Sequence, residues 1–239
     1  MNTSKYILFL SILVFLLAAC VPAKGKYRMP YLDGTQVKIL TDASTHSTPE
    51  ASMYDMVSTE GIGLLAAAAG GWVRHIEDSH SNVGSSPNNY VWIEHPYPFC
   101  QDPNDVERAN WPGKPQNYDE TCTPCTDEYC NEWTVYAHMA TDSVTGNGWF
   151  QAALEVDDWV EPGQFIGVES NIGFTPGGRH LHWFVVVVDP DIIPDADGYY
   201  KQWLNDENIE EPERVPVVCH ADADTMLSAG LTYTASDCL

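Results

Sequence analysis

Between Gly178 and Asp189 lies the stretch that most limits what this chain can become: Arg179-His180-Leu181-His182, followed by the aromatic and β-branched run Trp183 to Val188. A run of that composition reads as a strand, and residues two apart on a strand project from the same face. His180 and His182 therefore point together into whatever lies over that sheet. Paired imidazoles on a rigid β scaffold suit a metal or hydrolytic site, although two histidines on the exposed face of an edge strand would read the same way.

Shorter strand-like runs recur between turn signals at Val37 to Leu40, Leu64 to Ile76, Tyr90 to Glu94, Trp133 to His138 and Gln164 to Val168. That rhythm predicts an all-β chain. Ala66 to Ala69 has helix propensity, but Gly70-Gly71 behind it and the β-formers Trp72 and Val73 favour a strand, a turn and a strand. In the Trp133 to His138 run, alternation predicts Thr134, Tyr136 and His138 on one face, with Val135 and Ala137 entering the core. Residues 96–131 carry six prolines and four cysteines without periodicity, the pattern of a functional or cross-linked insertion.

The N-terminus reads as a targeting segment over residues 1–19. Lys5 precedes an apolar stretch from Tyr6 to Leu17, which ends at Leu17-Ala18-Ala19-Cys20. The last four residues resemble the bacterial lipobox, so Cys20 is expected to start the mature chain and carry lipid; a plain secretory signal is the alternative. Residues 20–34, with Pro22, Gly25, Pro30 and Gly34, read as a tether. Removing residues 1–19 takes away one lysine and no acid, so ten basic residues face thirty-four acidic ones and the net charge moves from -23 to -24. Such a balance argues against a nucleic-acid partner. With Cys20 set aside, Cys100, Cys122, Cys125, Cys130, Cys219 and Cys238 make an even set, best read in an exported chain as disulfides. A zinc knuckle on Cys122, Cys125 and Cys130 competes with that reading. Residues 191–239 read as an acidic extension, and Asp191 to Asp197 lacks the spacing of a calcium loop.

A hydrolytic zinc needs three ligands and an open position for water. The candidates are His46, Asp55 in Tyr54-Asp55-Met56, and one histidine of His180-Leu181-His182. No His-Glu-x-x-His helix is present, so a glutamate base of that kind is excluded and imidazoles must serve. His75, His80, His95 and His220 read as ordinary polar or loop histidines.

In this order the residues resemble the lysostaphin and LytM-type zinc metallo-endopeptidases, over about residues 34–188. His46 followed by Tyr54-Asp55-Met56 resembles the family's first metal motif. Leu64 to Trp72 and Asn89 to His95 resemble its following strands, and Val135-Tyr-Ala-His138-Met resembles its Tyr-x-His-Leu segment. Val160-Glu-Pro-Gly163-Gln164-Phe-Ile166-Gly167 and Gly178-Arg-His180-Leu-His182-Trp resemble its remaining signatures. Four departures stand out: a longer spacing from His46 to Asp55, the cysteine-bearing insertion at 96–131, a long loop at 141–157, and Arg179 where proline is common.

The resemblance implies one lysostaphin-type antiparallel β-sheet domain over residues 35–190 with an open groove. It implies a single zinc ion held by His46, Asp55 and His182, with His138 and His180 beside the attacking water. It also implies cleavage of peptidoglycan cross-links or stem peptides, and the lipobox-like segment adds the expectation of an exported protein lipid-anchored to the bacterial cell envelope through Cys20. If two membranes are present, that expectation places the protein at the outer membrane or periplasm. A non-catalytic envelope lipoprotein that regulates wall hydrolases is one alternative, and a zinc endopeptidase acting on exported proteins is another. No protein partner is indicated by the sequence.

Overall fold

The computed structural model of the chain describes residues 26–42, 45–46, 53–98, 131–187, 193–199, 213–214, 216–220, 223–225 and 227–236. The lipobox at Cys20 and the cysteines Cys100, Cys122, Cys125, Cys130 and Cys238 lie outside the described residues, as does the side chain of Cys219.

The strands are Lys26–Arg28 (β1), Gln36–Thr41 (β2), Tyr54–Ser58 (β3), Leu64–Ala66 (β4), Gly71–Glu77 (β5), Tyr90–Pro98 (β6) and Asn131–Ala137 (β7). They continue with Trp159–Val160 (β8), Phe165–Val168 (β9), Leu181–Val187 (β10), Glu213–Arg214 (β11), Val217–His220 (β12), Ala223–Thr225 (β13) and Thr232–Thr234 (β14). Among the described residues the chain is all-β. Its main sheet is antiparallel throughout, ordered β14-β2-β3-β10-β7-β6-β5-β8, with β11 also pairing β10. β4 pairs β9, and β1 pairs β12 in parallel beside β13.

The alanine run makes no helix because its backbone groups are engaged by other segments. Ala66 N–H donates to Pro30 O, Ala67 N–H to Gln164 O, and Ala68 O accepts from Arg28 N–H. Ala68 N–H donates to the Tyr136 hydroxyl at 2.7 Å. Only side chains this small leave room for strands to pass at such range.

Register assigns the two faces of the sheet. His182 stands opposite Asp55 on β3 and Ala137 on β7, and Trp92 on β6 stands opposite Val135. The Leu181, Trp183 and Val185 face packs with Tyr54, Met56, Ile93 and Tyr136 in the larger core. On the opposite face Phe184 and Val186 pack with Met53, Trp92, Trp133 and Val135. Burial on both faces is why β10 reads as an unbroken apolar run rather than an alternating one. Fully burying a side chain of that size is worth about 1.5–3 kcal/mol, so this strand anchors the sheet that carries the histidines.

Two expectations are corrected here. The face assignment for β7 is reversed: Thr134 and Tyr136 point to the larger core, while Val135 and Ala137 share the His182 side. Strand parity ends at Ala137, because His138 has φ 65, a left-handed conformation, and its ring meets those of His180 and His182. The tether is also shorter than expected, since Tyr27, Met29 and Tyr31 are buried in the larger core. Their period-2 spacing is that of a strand, and the prolines and glycines around them obscured it.

Candidate metal centre

Asp55 and His182 reach the site from the middle of the sheet as cross-strand partners on β3 and β10. His180 lies just before β10 and His138 just after β7, so the chemistry sits at one end of these strands. His46 comes from the connection between β2 and β3. A tight turn fixes it: His46 N–H and Thr45 N–H both donate to Asp42 O at 2.9 Å, and Asp42 Oδ2 accepts Ala229 N–H at 2.7 Å. The C-terminal part of the chain thus steadies the loop that carries His46.

Asp55 is the hub. Its Oδ1 lies 2.9 Å from His182 Nδ1 and 3.5 Å from His180 Nε2, while Oδ2 lies 3.3 Å from His46 Nε2 and accepts the Thr41 hydroxyl at 2.7 Å. The donor atoms of His46, Asp55 and His182 fall within 4.8 Å of one another, and so do those of His138, His180 and His182. Ligands on a tetrahedral zinc with bonds of about 2.0–2.1 Å stand roughly 3.3 Å apart, so the first set has suitable spacing and the right chemistry, two imidazoles and a carboxylate. The residues present fit the ion.

Hydrogen bonds fix the tautomers of the other two rings. His138 Nδ1–H donates to Ile172 O at 2.8 Å and lies 3.1 Å from Asn88 Oδ1, an oxygen that also accepts the His138 backbone N–H. His180 Nδ1–H donates to Gly178 O at 2.8 Å. Each ring therefore keeps its Nε2 lone pair for the site. Burial pushes the His138 imidazole down to about 3, with the His182 and His180 rings adding to the effect. Burial lowers His180 as well. Burial acts to raise Asp55, but hydrogen bonds from His182 and His46 outweigh it and hold the carboxyl far below its ordinary range. At neutral pH the site thus presents one carboxylate and two neutral bases.

Several supporting residues gave no sequence signal of their own. Ser170 joins the two catalytic candidates: its N–H and hydroxyl both donate to His138 O, at 2.7 and 2.8 Å, and its own carbonyl accepts His180 N–H. Met53 sets its sulfur 2.7 Å from His182 Nε2, on the far side of that ring from Asp55. Tyr199 comes from the acidic C-terminal extension. Its ring stacks on Phe184 and meets His182 edge-on with centroids 5.7 Å apart, while Gly198 O accepts the Trp92 indole N–H.

His75, His80 and His95 stay outside the site. His95 is buried rather than solvated, with Nδ1–H donating to Gly70 O and Nε2 at 2.9 Å from the Thr134 hydroxyl. His75 stacks on Trp133, His80 lies near Glu77 at the surface, and the side chain of His220 is outside the described residues.

No protein-family model matches the chain, and no curated protein does. Solved structures that are similar include a zinc-containing peptidase from Vibrio cholerae, at 18% identity over 72% of this chain and 37% of that one, TM-score 0.33. The chain thus spans little more than a third of that protein's length. A mutant catalytic domain of the prophage-encoded M23 protein EnpA from Enterococcus faecalis is similar at 15% identity over 65% of this chain and 84% of that one, TM-score 0.36. Pseudoalterin, an M23 metalloprotease from the deep sea, is similar at 12% identity over 73% and 85%, TM-score 0.37.

Proposed function

We propose that the chain is a zinc metallo-endopeptidase that hydrolyses peptide bonds of peptidoglycan cross-links or stem peptides. One observation carries the reading: a carboxylate and two imidazoles converge within ligand distance beside two further imidazoles whose Nε2 lone pairs are free for chemistry.

His46, Asp55 and His182 would hold the ion. Zinc bound there supplies Lewis acidity, which makes hydroxide accessible near neutral pH and draws charge from a peptide carbonyl. The chain's own contribution follows from the tautomers. With both Nδ1 atoms committed as donors, His138 and His180 can only accept at Nε2. A water between them has an acceptor for each of its protons; one ring takes a proton and returns it to the leaving amine. Sub-ångström placement of these rings matters because proton transfer needs hydrogen-bond reach.

The envelope setting is part of the proposal. The lipobox-like Leu17 to Cys20 supports export and a lipid anchor, and the resemblance of the ordered motifs supports wall peptides as substrate. The test uses the purified chain, zinc content and digestion of sacculi beside a protein substrate. His182→Ala should lose zinc and activity together, whereas His138→Ala should keep zinc and lose turnover. A wild-type chain that neither binds zinc stoichiometrically nor cleaves either substrate sinks the reading, and cleavage of protein alone moves the substrate to exported polypeptides.

A further inference from the structure

Arg179, the basic residue next to His180, is fully engaged. Its Nε lies 3.1 Å from Glu169 Oε1, Nη1–H donates to Gly61 O at 2.7 Å, and Nη2–H donates to Ser58 O at 3.1 Å. Glu169 is buried, and its carboxylate also accepts Ser58 N–H at 3.2 Å and the Tyr31 hydroxyl at 2.5 Å. Room for it depends on Gly63, where a Cβ would stand 2.1 Å from Glu169 Cδ.

The pair ties together the end of β3 and the segments next to Ser170 and His180. Ser58 closes β3, three residues beyond Asp55. Glu169 precedes Ser170, whose N–H and hydroxyl hold His138 O and whose carbonyl holds His180 N–H. Arg179 itself precedes His180. A guanidinium can join three such segments at once because its donors are fixed in one plane, and a flexible ammonium cannot. Surface charge alone does not explain a carboxylate taken fully out of water beside it, since isolated buried charges are unfavourable without a partner.

We propose that Arg179 and Glu169 are a positioning pair that sets His180 and His138 against the Asp55 strand. Neither touches the reacting atoms; they act through the backbone of the residues that do. The turnover arm of the test rests on the peptidase reading above, and the spectroscopic arm does not.

The full chain carrying Arg179→Ala, Arg179→Lys or Glu169→Gln is compared with wild type for kcat, KM, zinc content and the ¹⁵N resonances of the His138 and His180 rings. Arg74→Ala serves as control, because Arg74 makes a similar pair with Glu94 and Asp157 on β5, away from the site. Arg179→Ala is expected to lower kcat about 10- to 100-fold with KM within about twofold and zinc retained. Guanidinium added below denaturing concentration should restore part of the rate, Arg179→Lys should be intermediate, and Arg74→Ala should match wild type. A global folding defect would instead lower zinc content and dull every histidine resonance together, and guanidinium would not rescue it. Wild-type kcat in Arg179→Ala, or loss without rescue and with unshifted ring resonances, overturns the proposal. If wild type itself proves inactive, the peptidase reading fails, and the ring resonances alone decide: shifted in Arg179→Ala and Glu169→Gln upholds the pair, unshifted overturns it.

Discussion

His182 Nδ1 and Asp55 Oδ1 stand 2.9 Å apart on directly paired residues of β10 and β3, so the register of the central sheet itself brings together two of the three candidate metal ligands. A one-residue slip in that pairing would leave the two side chains on opposite faces of the sheet.

Asp55→Asn keeps the shape of the side chain and removes its charge from among three imidazoles. Zinc affinity should fall by more than the roughly 10- to 100-fold that loss of an outer hydrogen-bond partner costs. Competition against a chelator of known affinity measures this. An affinity within threefold or so of wild type would place the ion elsewhere.

Asn88 is buried and holds His138 through both its backbone N–H and its ring. Asn88→Ala leaves the backbone donor without that oxygen, a loss of about 1–3 kcal/mol in urea unfolding. Zinc should remain bound, with turnover reduced. The two readouts together separate this residue from the ligands.

Much of this arrangement was legible in the sequence. The apolar run from Trp183 announced β10, and alternation put His180 and His182 on one side. The ordered motifs brought His46, Asp55 and His138 to the same place. What escaped was nonlocal or conformational. The turn of His138 depends on a positive φ that no residue type signals, since histidine adopts it only when its surroundings hold it there. Glu169 and Arg179 gave no sign of pairing in the sequence, because their meeting depends on how the loops after β3 and β9 fold together. Tyr27, Met29 and Tyr31 were hidden by neighbouring prolines and glycines, although their spacing fits a buried strand.

His95 should govern part of the acid response of the fold. Burial pushes its imidazole down to about 4, against an ordinary value of 6.5. The unfolded chain therefore binds a proton that the folded chain refuses between those limits. Stability should be complete above pH 6.5 and fall as pH drops toward 4, by on the order of 3 kcal/mol for a fully buried group. Urea midpoints of the metal-free chain across that range measure the slope, and His95→Gln should flatten it. An unchanged slope in the variant would remove His95 from the account.

Gly71 marks the other half of the double glycine. A Cβ there would lie 2.4 Å from Glu94 O and 2.8 Å from Ile93 Cγ2, neither of which can move freely in the sheet. Gly71→Ala should cost about 1–3 kcal/mol or shift the β5–β6 register. A thermal melt at wild-type temperature would show that the strands separate more easily than their packing implies.

The central claim concerns which atoms hold the ion, and zinc X-ray absorption on the purified, stoichiometrically loaded chain tests it most directly. The account expects a first shell of nitrogen and oxygen only, at about 2.0–2.1 Å, with imidazole scattering that weakens in His182→Ala. A sulfur shell near 2.3 Å would assign the metal to Cys122, Cys125 and Cys130, and would contradict a centre built on His46, Asp55 and His182.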